Sequence, residues 1–122
     1  MKVVCIVDDD IQVRKSLANL LRSAGYQPVC FASGEAFIAS SHANTAMALL
    51  LDMHMTGRLQ GIDVQRCLRE MGTCLPVICM SADNSSAKAK KALEDGARAF
   101  LAKPFSAESL LSELAALSEG AQ

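Results

Sequence analysis

Apolar positions along the chain follow two alternating rhythms. Short unbroken runs occur at 3–7 (VVCIV), 27–32 (QPVCFA), 46–51 (AMALLL), 76–80 (PVICM) and 98–102 (RAFLA). Between them, apolar residues recur every three or four positions. The runs predict strands and the intervening segments predict helices. Val13, Leu17, Leu20, Leu21 and Ala24 share one helical face, and Gly25 follows as a stop. Ser33 predicts the cap of a short helix through about Ser40. Val64, Cys67, Leu68 and Met71 space as i, i+3, i+4, i+7 ahead of Gly72. A polar, alanine-rich helix is predicted from about Ser86 to Asp95, closed by Gly96. Leu110, Leu111, Leu114 and Leu117 define a last helix, capped by Ser106.

Five strand–helix units follow from this pattern. Continuous apolar strands separated by helices imply a parallel sheet covered on both faces. Five strands are too few for a closed eight-stranded barrel, which leaves an open, doubly wound α/β sheet. Pro28, near the start of the second run, suits an edge strand. With no Pro/Gly/Ser-rich linker and no repeat, residues 1–122 are expected to form one domain.

Composition narrows the function classes. Twelve basic residues against thirteen acidic ones give a net charge of −1, which argues against a nucleic-acid surface. No apolar run reaches the roughly 18 residues of a membrane span. Met1-Lys2 leads directly into the first strand without signal-peptide architecture, so the expected compartment is the cytoplasm. Cys5, Cys30, Cys67, Cys74 and Cys79 make an odd count without C-x-x-C spacing, and a thiol within an apolar strand behaves as a small hydrophobe.

The polar residues at the strand ends carry the chemistry. Strand one ends in Asp8-Asp9-Asp10, strand three in Asp52, strand four in Ser81 and strand five in Lys103-Pro104. In an open α/β sheet the ligand site lies beyond the carboxyl ends of the strands, near the switch in strand order. Asp10 suits a helix N-cap, but three consecutive acids exceed what a cap requires. Converging carboxylates repel one another unless a cation is bound. Oxygen ligands without converging cysteines select a hard ion, with Mg²⁺ leading. A metal, a lysine and a hydroxyl around one aspartate make a site for a phosphoryl group, and a carboxylate is a competent nucleophile toward it.

Taken together, "VDDD" (7–10), "LLLDMHM" (49–55), "MSAD" (80–83) and "AKPF" (102–105) resemble the receiver domain of bacterial two-component response regulators. That family has the CheY-like, flavodoxin-like fold with strand order 2-1-3-4-5. The resemblance implies that Asp52 accepts a phosphoryl group from a phosphohistidine on a sensor histidine kinase or phosphotransfer protein. It implies that Asp9, Asp52 and the backbone carbonyl of His54 bind Mg²⁺, with Asp8 acting through water. Lys103 would hold phosphoryl oxygens, and Ser81 would bond another after moving inward. Phe100 occupies the position of the aromatic switch, and the peptide bond before Pro104 is expected to be cis. The domain is then not an enzyme but a phosphoacceptor that assists its own phosphorylation and dephosphorylation. It would bind neither membrane nor nucleic acid directly. The face built from helix four, strand five and helix five would meet an output domain, a partner protein or, after phosphorylation, a second copy. Helix four has few large apolar residues, which fits a face that changes.

Several positions depart from the family pattern. Thr56 stands where proline is common, and the "TGRLQG" loop is one residue longer than usual, which bears on how the His54 carbonyl is presented. Ser81 replaces a commoner threonine but keeps the hydroxyl. His54 and Asp83 occupy positions that tune phosphorylation and dephosphorylation rates. Three rival functions remain. An aspartate-nucleophile phosphatase would need a second acid two residues after Asp52, where His54 stands. A Rossmann module would need G-x-G-x-x-G after strand one, which is absent. A phosphorylation-independent, receiver-like docking module is the alternative, set against the intact acids, hydroxyl and lysine. Residues 8–38 resemble receivers that often precede a DNA-binding domain, so the chain is expected to be a stand-alone regulator or a piece of a longer regulator or hybrid kinase.

Overall fold

The computed structural model describes residues 2–55, 59–82 and 86–120. Five parallel strands, β1 (Val3–Val7), β2 (Gln27–Phe31), β3 (Ala48–Asp52), β4 (Val77–Ser81) and β5 (Ala99–Ala102), form one sheet in the order β2-β1-β3-β4-β5. The helices are α1 (Ile11–Ser23), α2 (Gly34–Ala39), α3 (Gly61–Met71), α4 (Ser86–Glu94) and α5 (Ala107–Gly120). The chain steps from β1 outward to β2, then crosses back to β3 and continues outward the other way. The reversal in winding therefore falls between β1 and β3.

Alternation along the strands builds two separate cores, because successive side chains leave opposite faces of a sheet. Val4, Ile6, Leu50, Ile78 and Met80 pack with Leu17 and Leu21 of α1 and with Leu110, Leu114 and Leu117 of α5. Cys5, Val7, Leu49, Leu51 and Cys79 face Phe37 of α2, Val64 and Leu68 of α3, and Ala92 of α4. Full burial of a leucine or isoleucine contributes about 1.5–3 kcal/mol, so these two layers dominate stability. Among the described side chains of α4, the small Ala92 is the one buried in its core, and Leu93 is 47% exposed.

The helix starts behave as their residues dictate. Gln12 N–H donates to Asp10 Oδ1 (2.8 Å), Ala36 N–H to Ser33 Oγ (3.1 Å) and Ser109 N–H to Ser106 Oγ (3.0 Å). Gly72 ends α3 at φ 73°, a left-handed conformation that glycine adopts without steric penalty.

Strand limits differ from the apolar runs by one or two residues. The third strand begins at Ala48 rather than Ala46, because Ala46 N–H donates to the His42 carbonyl in a 3₁₀ turn at His42–Asn44. The third and fourth strands extend to Asp52 and Ser81, so both polar residues lie inside the ladder instead of beyond it, Asp52 paired with Met80 and Ser81 with Ala102. Cys30 is exposed rather than buried, since its strand β2 forms the sheet edge. Cys5 and Cys79 are buried within the sheet, and burial pushes their thiols up to about 11 and about 12.

Candidate functional site

β1 and β3 are adjacent and in register, Val7 opposite Leu51, so Asp8 and Asp52 leave the sheet at the same level across the reversal in winding. Asp8, Asp9 and Asp52 bring one carboxylate oxygen each to within 4.8 Å of the others. Asp8 and Asp52 are buried, and Asp9 is the most open of the three. Burying carboxylates is unfavourable unless they are paired, and both are. Asp8 Oδ1 accepts the Asp10 N–H (2.9 Å), and Lys103 Nζ donates to Asp8 Oδ2 at 3.0 Å. Asp52 Oδ1 accepts the His54 N–H (3.2 Å) and lies 3.6 Å from Lys103 Nζ.

The pairing is incomplete. Burial, and then the charge of Asp8, raise the Asp52 carboxyl above its ordinary 3.8, with Asp9 adding to the rise and the His54 N–H and Lys103 opposing it. Burial by itself would lower Lys103, but its bond to Asp8 and the charge of Asp52 prevail and hold its ammonium above the usual lysine value. Three carboxylates gather around one ammonium, a set whose mutual repulsion a divalent cation would relieve. All the donors are hard oxygens. The residues therefore fit Mg²⁺.

The remaining expected residues gather around this cluster. Ser81 is buried at the end of β4. Lys103 N–H donates to the Ser81 carbonyl (2.7 Å) and Met53 N–H to the Met80 carbonyl (2.9 Å), so β4 ties the other two strand ends together. Phe100 pairs with Cys79, which places it two residues from Ser81 on the same sheet face. Ser81 and Phe100 both line a cavity of about 280 Å³ with Met53, His54 and Gln65. The Lys103–Pro104 peptide is cis. His54 is exposed beside the acids, whereas Thr56, Gly57, Arg58 and Asp83 lie outside the described residues.

Three further residues shape the site. Arg14 Nη1 donates to the Asp8 carbonyl (2.7 Å) and fixes the turn into α1. A Cβ on Gly61 would meet Met53 Cα at 2.7 Å and the Asp52 carbonyl oxygen at 3.0 Å, so only glycine lets α3 start against the acid-bearing backbone. Gln60 N–H donates to Asp63 Oδ2 (2.9 Å), while its side-chain amide bonds both main-chain groups of Met55. The available signal was Asp63 three residues after Gln60, a capping-box spacing with an unusual first residue.

The family model described as the response regulator receiver domain matches residues 4–115. The chain belongs to this family. Among curated relatives of this receiver domain, the response regulator protein TodT of Pseudomonas putida F1 is 38% identical over 114 residues, 93% of this chain and 50% of TodT. The response regulator protein TmoT of Ectopseudomonas mendocina is 40% identical over 109 residues, 89% of this chain and 49% of TmoT. The chain thus spans about half the length of these relatives. Among solved structures, the receiver domain of Francisella response regulator 1452 superposes with a TM-score of 0.93 over the whole of both chains at 24% identity, a likeness of fold. Receiver domains of response regulators serve two-component signalling, generally as switches rather than catalysts. They generally bind Mg²⁺ at an acidic pocket, the place held here by Asp8, Asp9 and Asp52. Among the described residues no helix is long and apolar enough to cross a membrane.

Proposed function

We propose that residues 1–122 act as one receiver unit in the cytoplasm, taking a phosphoryl group on Asp52 from a histidine kinase or phosphotransfer protein. The observation that carries this is the convergence of three carboxylates within 4.8 Å with Lys103 Nζ 3.0 and 3.6 Å from two of them. An Asp52 oxygen forms the new O–P bond as the P–N bond to the donor imidazole breaks, and the electron pair returns to the imidazole nitrogen. Asp9, Asp52 and the His54 carbonyl would hold Mg²⁺, with Asp8 acting through water. Bound there, the ion neutralises the acids and the incoming phosphoryl oxygens. Lys103 offers three N–H donors to the two carboxylates it faces, which leaves one for a phosphoryl oxygen. The Ser81 hydroxyl donates to another.

The acyl phosphate then biases a pre-existing equilibrium. Ser81 moves toward the phosphoryl group and Phe100 turns into the cavity they share. The α4–β5–α5 face changes because α4 is lightly held, by Ala92 and by one buried hydrogen bond from Gln65 Nε2 to the Ala92 carbonyl (3.1 Å). An output domain, a partner protein or a second copy reads that face.

Intact mass after incubation with a small-molecule phosphodonor and Mg²⁺ tests the chemistry. One phosphoryl group gained by the native chain, and lost both in Asp52→Ala and with chelator, is expected. No gain, together with no Mg²⁺ binding, would leave a receiver-shaped docking module.

A further inference from the structure

Gln60 is braced from behind and reaches forward. Its backbone N–H is held by Asp63 Oδ2 in the first turn of α3 (2.9 Å). Its side-chain amide closes on Met55: the Met55 N–H donates to Oε1 at 2.9 Å, and Nε2 donates to the Met55 carbonyl at 2.5 Å. Met55 is buried, so this clasp is anchored in the second core rather than in solvent.

The amide that supplies the Met55 N–H also contains the His54 carbonyl. In a trans peptide the two groups point in opposite directions, so fixing one aims the other. The neighbouring peptide is fixed as well, because the His54 N–H donates to Asp52 Oδ1 (3.2 Å). The His54 carbonyl is therefore restrained on both sides, by Asp52 before it and by Gln60 after it. A proline at position 56 would restrict Met55 covalently. Thr56 imposes no such restriction, and the loop is longer. The two Gln60 hydrogen bonds supply a restraint from five residues away.

We propose that Gln60 is a positioning residue that aims the His54 carbonyl as an oxygen ligand of Mg²⁺. This rests on the receiver reading of the acids. Ion selectivity separates the role from a merely structural one. Mg²⁺ demands near-octahedral geometry, whereas Ca²⁺ accepts irregular sets of oxygens. A misaimed carbonyl penalises Mg²⁺ selectively, while a general loosening or a change of charge affects both ions.

The test is calorimetric titration of the 122-residue chain with Mg²⁺ and, separately, Ca²⁺. Gln60→Leu is expected to weaken Mg²⁺ about tenfold, the lower end for losing a supporting shell around a metal ligand, and Ca²⁺ by less than about threefold. Exchange of the Met55 amide proton rises in the same variant. Gln60→Glu keeps the acceptor for the Met55 N–H but sets a second acceptor against the Met55 carbonyl where Nε2 donated, so the Mg²⁺-to-Ca²⁺ affinity ratio is expected to fall, by less than in the leucine variant; it also serves should the leucine variant not fold. Asp63→Ala removes the brace on the helix but leaves the amide clasp, and the ratio stays near native. Unchanged Mg²⁺ affinity in Gln60→Leu, equal losses for the two ions, a native ratio in Gln60→Glu, or a shifted ratio in Asp63→Ala would overturn the proposal. A native chain that binds neither ion would instead overturn the receiver reading itself, and the role of Gln60 with it.

Discussion

Replacing Asp52 with asparagine should make the metal-free protein more stable. The substitution keeps the side chain's shape and its acceptor for the His54 N–H, and removes one of three clustered negative charges. With the 4.8 Å limit on the oxygen separations taken as the distance and an effective dielectric of about 20, each neighbouring carboxylate repels Asp52 by about 3.5 kcal/mol. Lys103 at 3.6 Å attracts it by about 4.6 kcal/mol on the same scale. Two repulsions and one attraction leave roughly 2 kcal/mol unfavourable. Solvent around the more open Asp9 reduces that figure, and burial of the Asp52 carboxylate adds to it. We expect Asp52→Asn to gain about 1–3 kcal/mol in chelator, or on the order of 1 M in urea midpoint.

The pH dependence has a definite sign. The folded Asp52 carboxyl titrates above its ordinary 3.8, so ionisation opposes the fold. Native stability therefore falls as pH rises from 3.8 through the raised value, while the asparagine variant escapes that fall. The gap opens across that window and closes in acid. Adding Mg²⁺ reverses the ranking, because the ion stabilises only the chain that binds it well. The chain has no tryptophan, so far-ultraviolet circular dichroism is the appropriate probe of unfolding. An Asp52→Asn protein no more stable than native at pH 7 in chelator would refute the electrostatic account.

Three other outcomes follow from the same geometry. Lys103→Met leaves the buried Asp8 carboxylate without its cation and should cost about 2–3 kcal/mol in metal-free urea unfolding; in the native chain the raised lysine's contribution is present below 10.5 and lost as pH climbs above it. Gly61→Ala should cost about 1–3 kcal/mol, because its Cβ meets backbone that cannot yield, whereas Gly34→Ala should cost less, its nearest obstacle being a Val64 methyl at 2.6 Å. A thiol reagent at pH 8, followed by mass spectrometry, should modify Cys74 first, then Cys30, whose thiol is raised by partial burial, and reach Cys5 and Cys79 only at the rate of unfolding.

What the sequence disclosed was what short-range chemistry decides. Short unbroken apolar runs bounded by turn residues favour buried strands, and Asp10, Ser33 and Ser106 cap helices through bonds spanning two or three residues. The strand ends were legible because polar residues broke those runs at Asp8, Asp52, Ser81 and Lys103. Strand limits were less so: whether Ala46 or Asp52 belongs to the third strand depends on what lies beside it, a turn at His42 in one case and Met80 in the other. The exposure of Cys30 depends on β2 being an edge, which its own composition does not display. The Gln60 clasp escaped notice for another reason. It joins a side chain to a backbone group across a loop, and no periodicity marks such a bond.

The two hydrogen bonds by which β4 holds Met53 and Lys103 have a kinetic consequence. The residues that bear the Asp52 carboxylate, the Ser81 hydroxyl and the Lys103 ammonium are spaced by a backbone ladder across β3, β4 and β5, so backbone motion is expected to displace them as a set. Reach toward an incoming phosphorus atom is then decoupled from the looser helices. On the chemistry proposed for Asp52, the lifetime of its acyl phosphate is expected to be adjustable at exposed neighbours such as His54 without disturbing that spacing. Speed and competence would then be separately adjustable on one scaffold.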